Sequence, residues 1–284
     1  MATELPVSGA VLAGGLDEPR VAPESIGSQR SAAAQDTGGA AAGPWPSWAL
    51  PQLDAAVALA LPAIDRLSVA GLLYREWFNP VAGDIEPLRH MPPLAGIYRA
   101  AHAGSSARIR RDDVSIVGRH DVLRIGGWWR TWGEQWTPPR TRAGSVRLLM
   151  TPRPDVLAEF VATVTGRLVH DPTPWSFGCA IDPRRIARYG CAVLDLPSLE
   201  AVPDGLLDEL EPLLRPVVSP LCLPIATGVG VAEYPDNGMT FGEHRCHLIA
   251  LALRHPAAGR RPLRAIAAVF AAHGIDPAAP YRTN

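Results

Sequence analysis

The stretch that decides the fold begins at Ser145-Val146-Arg147-Leu148-Leu149-Met150, an apolar-rich run of strand length. It continues through Pro154 to His170, where apolar positions recur at helical spacing behind a proline near the first helical position. Trp175 to Ile181 and Cys191 to Leu196 then read as two further strands, and Pro203 to Leu214 as a short acidic helix. Strand, helix, strand, strand, helix lacks the strict alternation of a doubly wound sheet. The pattern therefore predicts an α+β fold.

Working outward, the C-terminal side adds two helices, Thr240 to His255 and Pro262 to His273, the second stopped by Gly274. On the N-terminal side, Trp128, Trp129, Trp132 and Trp136 lie in a Gly- and Thr-containing stretch, either as a ligand platform or as packing for a small β region. Before them, Val114 to Val117 and Val122 to Ile125 flank Gly118-Arg119-His120-Asp121 as a hairpin. Leu50, Leu53, Val57, Leu61, Ile64, Leu67, Val69, Leu72 and Leu73 repeat at helical intervals, with Pro62 starting a second helix or kinking the first. Another helix is expected over Pro93 to His102. Residues 1–43, rich in Ala, Gly, Ser and Pro, read as a disordered tail. The expected organisation is that tail and a domain over 44–284, with two subdomains divided near 138–144. N-terminal helices, mixed strands and C-terminal helices then surround a small sheet.

Composition excludes several classes. The chain has 284 residues, 47% hydrophobic and 19% charged, enough for a sizeable core. Its net charge of -1 argues against nonspecific nucleic-acid binding. No apolar run has the length of a membrane span, and no secretory signal opens the chain, so a cytoplasmic protein is expected. The four cysteines, at 179, 191, 222 and 246, lack metal-ligand spacing and read as buried thiols. All 27 basic residues are arginine. This removes any lysine base, Schiff base or P-loop lysine, because arginine stays protonated at neutral pH. Gly228-Val229-Gly230 lacks a dinucleotide fingerprint, and no G-x-S-x-G occurs.

Thr240-Phe241-Gly242-Glu243-His244-Arg245 is the most informative segment. Thr240 with Glu243 three residues on forms a capping box, which accounts for both. Gly242 in the first turn costs helix stability and implies close approach by another group. Free amides, the helix dipole and Arg245 together suit an anion, although Glu243 competes for the same amides. His244 and His247 would share a helix face, but no third ligand completes a metal site. No cofactor is expected.

Three stretches carry a family resemblance: Pro220-Leu221-Cys222-Leu223-Pro224, Gly228-Val229-Gly230-Val231-Ala232-Glu233-Tyr234-Pro235, and Thr240 to Cys246. With Ala271-Ala272-His273-Gly274-Ile275-Asp276-Pro277, Pro280-Tyr281 and the upstream Leu73-Tyr74-Arg75-Glu76-Trp77-Phe78 and Ala100-Ala101-His102, they resemble the HopA-type effector family over about residues 50–284. Members occur as bacterial type III effectors and in clusters making class V lanthipeptides and thioamitides. The resemblance implies a kinase-like partner that phosphorylates Ser or Thr of a precursor peptide. This chain is then expected to eliminate the phosphate, leaving a dehydroamino acid.

Such an elimination needs a base for the Cα proton and cations for the departing phosphate. By resemblance, Arg245 and Arg147 match family positions, and Arg188 lies in Arg188-Tyr189-Gly190, where Arg-x-Asp is favoured. Arg245, Arg147, Arg188 and Gly242 are the candidate phosphate-binding residues. Two departures matter: Gly178 stands where a lysine is expected, and Gly190 where an aspartate is. His244 becomes the candidate base, ahead of His170 and His102. The alternative is a noncatalytic subunit that binds peptide and supports the kinase-like partner. Either way, Leu221 to Ile225 or the Trp128 to Trp136 cluster is a candidate partner surface.

Overall fold

A computed structural model describes residues 44–65, 68–82, 93–103, 128–133, 135–136, 145–235 and 237–283. The expected tail over 1–43, the hairpin across Val114 to Ile125 and the division near 138–144 lie outside these residues.

Helix α1 (Leu50–Ala60) carries Pro51 in its first turn, where a missing N–H costs nothing, and buries Leu53, Ala56, Val57 and Ala60. A 3-10 turn at Leu61–Ala63, bearing Pro62, ends it. Helix α2 (Val69–Leu73) passes directly into a π-helical turn, Tyr74–Phe78, which buries Trp77 and Phe78 together. Helix α3 (Leu94–Ala101) follows. The remaining chain gives β1 (Trp128–Trp132), β2 (Val146–Met150), α4 (Leu157–Leu168), β3 (Ser176–Ala180), α5 (Pro183–Ile186), β4 (Ala192–Leu196) and α6 (Leu206–Leu210). It closes with β5 (Leu223–Ala226), β6 (Val229–Glu233), α7 (Phe241–Leu253) and α8 (Pro262–Ala272).

The strands form a six-stranded sheet in the order β1-β3-β4-β2-β6-β5, every pair antiparallel. The α+β class read from the sequence is therefore correct, and the sheet is the element that positions everything else. Because successive side chains alternate between faces, Trp129, Phe177, Leu194, Leu148, Met150 and Val231 point one way. They form a core with Tyr98 of α3, Phe160 and Val164 of α4, and Leu206 and Leu210 of α6. Leu149 and Ala232 point the other way, into a second core with α1, α2, α7 and α8. That helical layer meets the sheet at β2 and β6. Toward β1, β3 and β4 the same face carries polar and aromatic side chains instead.

One sequence expectation changes here. The stretch Leu221 to Ile225 is not a free apolar surface: Leu221 and Cys222 are fully buried, and Leu223–Ala226 is an edge strand bonded to β6. Gly228-Val229-Gly230 belongs to that hairpin, with Ala226 opposite Val229 and Gly228 at φ 72° in the turn. All four cysteines are free and buried. Among the described residues, no helix is long and apolar enough to cross a membrane.

Candidate functional site

Register builds the polar half of the sheet face. Arg147 on β2 lies opposite Asp195 on β4, Asp195 lies opposite Ser176 on β3, and Ser176 lies opposite Trp132 on β1. One step along the strands, Arg130 on β1 lies opposite Gly178 on β3. Arg130, Ser176, Asp195 and Arg147 thus meet across four neighbouring strands.

Asp195 is the hub. Arg147 donates to it twice, from Nε at 2.6 Å and Nη2 at 3.0 Å, in the fork geometry that suits carboxylates. Arg130 donates once, from Nη1 at 3.3 Å, with Ser176 Oγ at 3.5 Å from the same nitrogen. Asp195 is 1% exposed, whereas Arg147 and Arg130 keep 11% and 15% of their side chains in contact with solvent. Burial alone would raise the Asp195 pKa, but the Arg147 and then the Arg130 guanidinium hold it below the usual carboxylate range. The two arginines diverge. Burial pulls the Arg130 pKa down and its single bond to Asp195 does not restore it, while the forked bond to Asp195 raises Arg147 despite burial. Arg130 is the undercompensated cation, and its Nε is buried with no hydrogen-bond partner among the described residues.

Aromatic faces and a third arginine extend the cluster. Arg147 lies 4.6 Å from the Tyr234 ring centroid; Arg130 and Arg185, the latter on α5, lie 6.0 Å and 4.9 Å from that of Trp128. Arg185 Nη1 is also buried without a partner. Two guanidinium groups therefore hold one carboxylate and a third stacks on the Trp128 ring beside Arg130, leaving an excess of positive charge in a partly dry setting. That is the electrostatic form of an anion site.

Gly178 permits this arrangement. A Cβ there would stand 3.0 Å from Arg130 Cγ and 3.3 Å from the Trp129 carbonyl oxygen. The Arg130 side chain crosses directly over the position where the family resemblance leads one to expect a lysine.

Of the candidate base and phosphate-binding residues read from sequence, Arg147 alone belongs to this cluster; Trp128 and Gly178, singled out on other grounds, adjoin it. Arg188 donates from Nη1 to the carbonyls of Arg75 at 2.8 Å and Asn79 at 2.7 Å, closing the end of the π-helical turn. Gly242 does meet a close neighbour, but it is Phe78: a Cβ would fall 2.2 Å from its Cε1. The Thr240–Glu243 capping box is formed in full. Arg245 is completely buried; its Nε donates to the Pro280 carbonyl at 2.8 Å, Nη2 to the Arg282 carbonyl at 2.6 Å, and Nη1 to His244 Nδ1 at 2.9 Å. Burial lowers its pKa to about 10, so it stays charged at neutral pH. His244 is half-buried. Burial first, then the Arg245 charge, push it down to about 4. An arginine can only donate, so Nδ1 holds the lone pair and neutral His244 carries its proton on Nε2. His102 is a core residue on the opposite sheet face, 3.0 Å from Thr131 Oγ1. His170 is exposed beside a cavity of about 310 Å3 lined by Gly133, Asp171 and Trp175. The tryptophan cluster divides by strand alternation: Trp129 enters the core, while Trp128 and Trp132 face the arginines.

Sequence reasoning missed Arg130, Arg185, Ser176, Asp195 and Tyr234. A signal existed for Asp195, a lone carboxylate inside the apolar strand Ala192-Val193-Leu194-Asp195-Leu196.

An antiparallel sheet with helices packed on both faces and a buried arginine–carboxylate cluster on one of them defines an α+β protein whose overall likeness is to bacterial effectors. An effector protein from Pseudomonas syringae pv. tomato strain DC3000 superposes with a TM-score of 0.60 at 15% identity, over 84% of this chain and 98% of that one. One from Pseudomonas syringae pv. syringae strain 61 gives 0.52 at 15% identity, over 81% and 97%. At that identity the likeness concerns the fold alone. No curated protein matches in sequence. The chain belongs to the HopA1 effector protein family, whose sequence model matches residues 130–282.

Proposed function

We propose that this chain acts on phosphorylated Ser or Thr of a precursor peptide, beside a kinase-like partner, and eliminates the phosphate. The observation that supports the reading is the Arg130–Asp195–Arg147 cluster. A phosphate oxygen bound by Arg130 and the outer edge of Arg147 would complete donors that Asp195 leaves unfilled. In the reaction, the Cα proton passes to a base and its electron pair forms the Cα–Cβ double bond. The Cβ–O bond breaks, and phosphate departs with that bond's electrons, its charge spread over the arginines. His244, the base favoured from sequence, can accept the proton at Nδ1 only by giving up its bond to Arg245.

That engaged lone pair, in a chain without lysine, favours a second reading: a noncatalytic subunit that holds phosphopeptide and supports its kinase-like partner. One experiment separates them. The purified protein is incubated alone with a pre-phosphorylated peptide, and loss of phosphoric acid is followed by mass spectrometry. Elimination that disappears in Arg147→Ala and Arg130→Ala supports the lyase. Binding without elimination, together with faster phosphorylation by a copurifying kinase-like chain, supports the subunit. Neither binding nor elimination rejects both.

A further inference from the structure

The segment Pro280 to Thr283 is tied to α7 and to the end of β6 by a set of hydrogen bonds. Besides the two carbonyls gripped by Arg245, the Glu233 N–H donates to the Tyr281 carbonyl at 2.8 Å. The Thr283 N–H donates to Glu233 Oε2 at 2.8 Å, and Thr283 Oγ1 donates to the Tyr234 carbonyl at 3.2 Å. Arg245 is anchored in turn by the faces of Phe241 and Phe270, 4.6 Å and 5.7 Å from its Cζ. The three bonds made by Tyr281 and Thr283 converge on Glu233-Tyr234, at the end of β6, while Arg245 holds the same segment from its other side. Tyr234 is the residue whose ring lies 4.6 Å from the Arg147 guanidinium.

We propose that the C-terminal segment is a strut of the anion site. Arg245 and Thr283 are positioning residues that fix Tyr234 against Arg147, and so set the orientation in which the Arg147 guanidinium is held beside Arg130. Arg245 then serves the site without touching its ligand. This rests on the reading of Arg130 and Arg147 as the phosphate-holding pair.

Thr283→Val and a chain ending at Arg282 test the idea, because both keep the two Arg245 bonds and lose the Thr283 hydroxyl. The probe is a phosphothreonine peptide titrated calorimetrically, with the urea midpoint measured alongside. In Thr283→Val, loss of the one hydroxyl bond predicts a Kd about threefold to tenfold weaker, with the midpoint lowered by no more than a single hydrogen bond's worth. Binding by the shortened chain, which also loses the Thr283 N–H bond to Glu233, is weakened at least as much. Thr283→Ser, which keeps the hydroxyl, restores wild-type affinity. Arg245→Met weakens binding and lowers the midpoint together. Wild-type affinity in both Thr283→Val and the shortened chain overturns the strut while leaving the phosphate site intact. A wild-type chain that binds no phosphopeptide removes the underlying reading and the strut with it.

Discussion

Replacing Asp195 by Asn is the most direct probe of the arginine cluster. The side chain keeps its shape, but the only negative charge between two buried guanidinium groups disappears. Asp195 is 1% exposed and accepts three hydrogen bonds from them. Removing one partner of a buried, hydrogen-bonded ion pair costs about 3–5 kcal/mol, chiefly because the surviving charges stay buried and unpaired. Urea unfolding followed by circular dichroism should register that loss. The same variant should then be rescued by inorganic phosphate, since an added dianion restores what the carboxylate supplied. A ligand present at a hundredfold over its Kd contributes about 2.7 kcal/mol by linkage. Phosphate, at ionic strength matched with sodium chloride, should thus raise the stability of Asp195→Asn more than that of the wild type. Two results refute the reasoning. A loss under about 1 kcal/mol means that Asp195 does not hold the pair, and equal effects of phosphate on both proteins mean that the cluster does not take the anion.

Three further outcomes follow from the geometry. Gly242→Ala should gain about 1 kcal/mol on helix propensity alone. A methyl group 2.2 Å from Phe78 Cε1 should reverse that to a loss of about 1–3 kcal/mol, and in a Phe78→Ala background the substitution should become stabilising. His244 has a folded pKa near 4 against an ordinary 6.5, so the unfolded chain binds more protons between these values. Stability should therefore fall as pH drops from about 6.5 toward 4, and His244→Gln should flatten that part of a pH titration of the urea midpoint. Arg188→Ala loses two bonds to the carbonyls of Arg75 and Asn79. It should cost about 2 kcal/mol and speed amide exchange near the π-helical turn, without changing phosphopeptide affinity.

Much of the architecture was legible because local signals agreed. The apolar run of Val146 to Met150, the proline start and amphipathic run of α4, and the Thr240–Glu243 capping box each specify their element within a few residues. The β5–β6 hairpin was harder to read, because Pro224, Gly228 and Gly230 interrupt the alternation that reveals a strand. The site was mostly hidden. Arg130, Ser176, Arg147 and Asp195 meet only through strand register, which no short-range pattern encodes. Arg188 and Arg245 read as ligand-binding because they stand in stretches that resemble family motifs and, for Arg245, beside the free amides of a helix N-terminus. Their partners prove to be backbone carbonyls far away in sequence, contributed by segments with no signal of their own. Gly242 did announce a close approach, but not by what.

The crossing of Arg130 over Gly178 also bears on how the sheet finds its correct assembly. Among the described residues, β1 is an edge strand joined to the sheet through β3, and its Asp195 contact spans 65 residues of sequence. Slipping β1 by one residue would turn Arg130 toward Phe160 and Phe177 and expel Trp129 from the core, burying an unpaired charge in place of an indole. In the native register, the arginine instead finds the one neighbour without a side chain and the one buried carboxylate within reach. The cluster is therefore an alignment key: it penalises mispaired versions of this edge and leaves a single way for the outermost strand to dock.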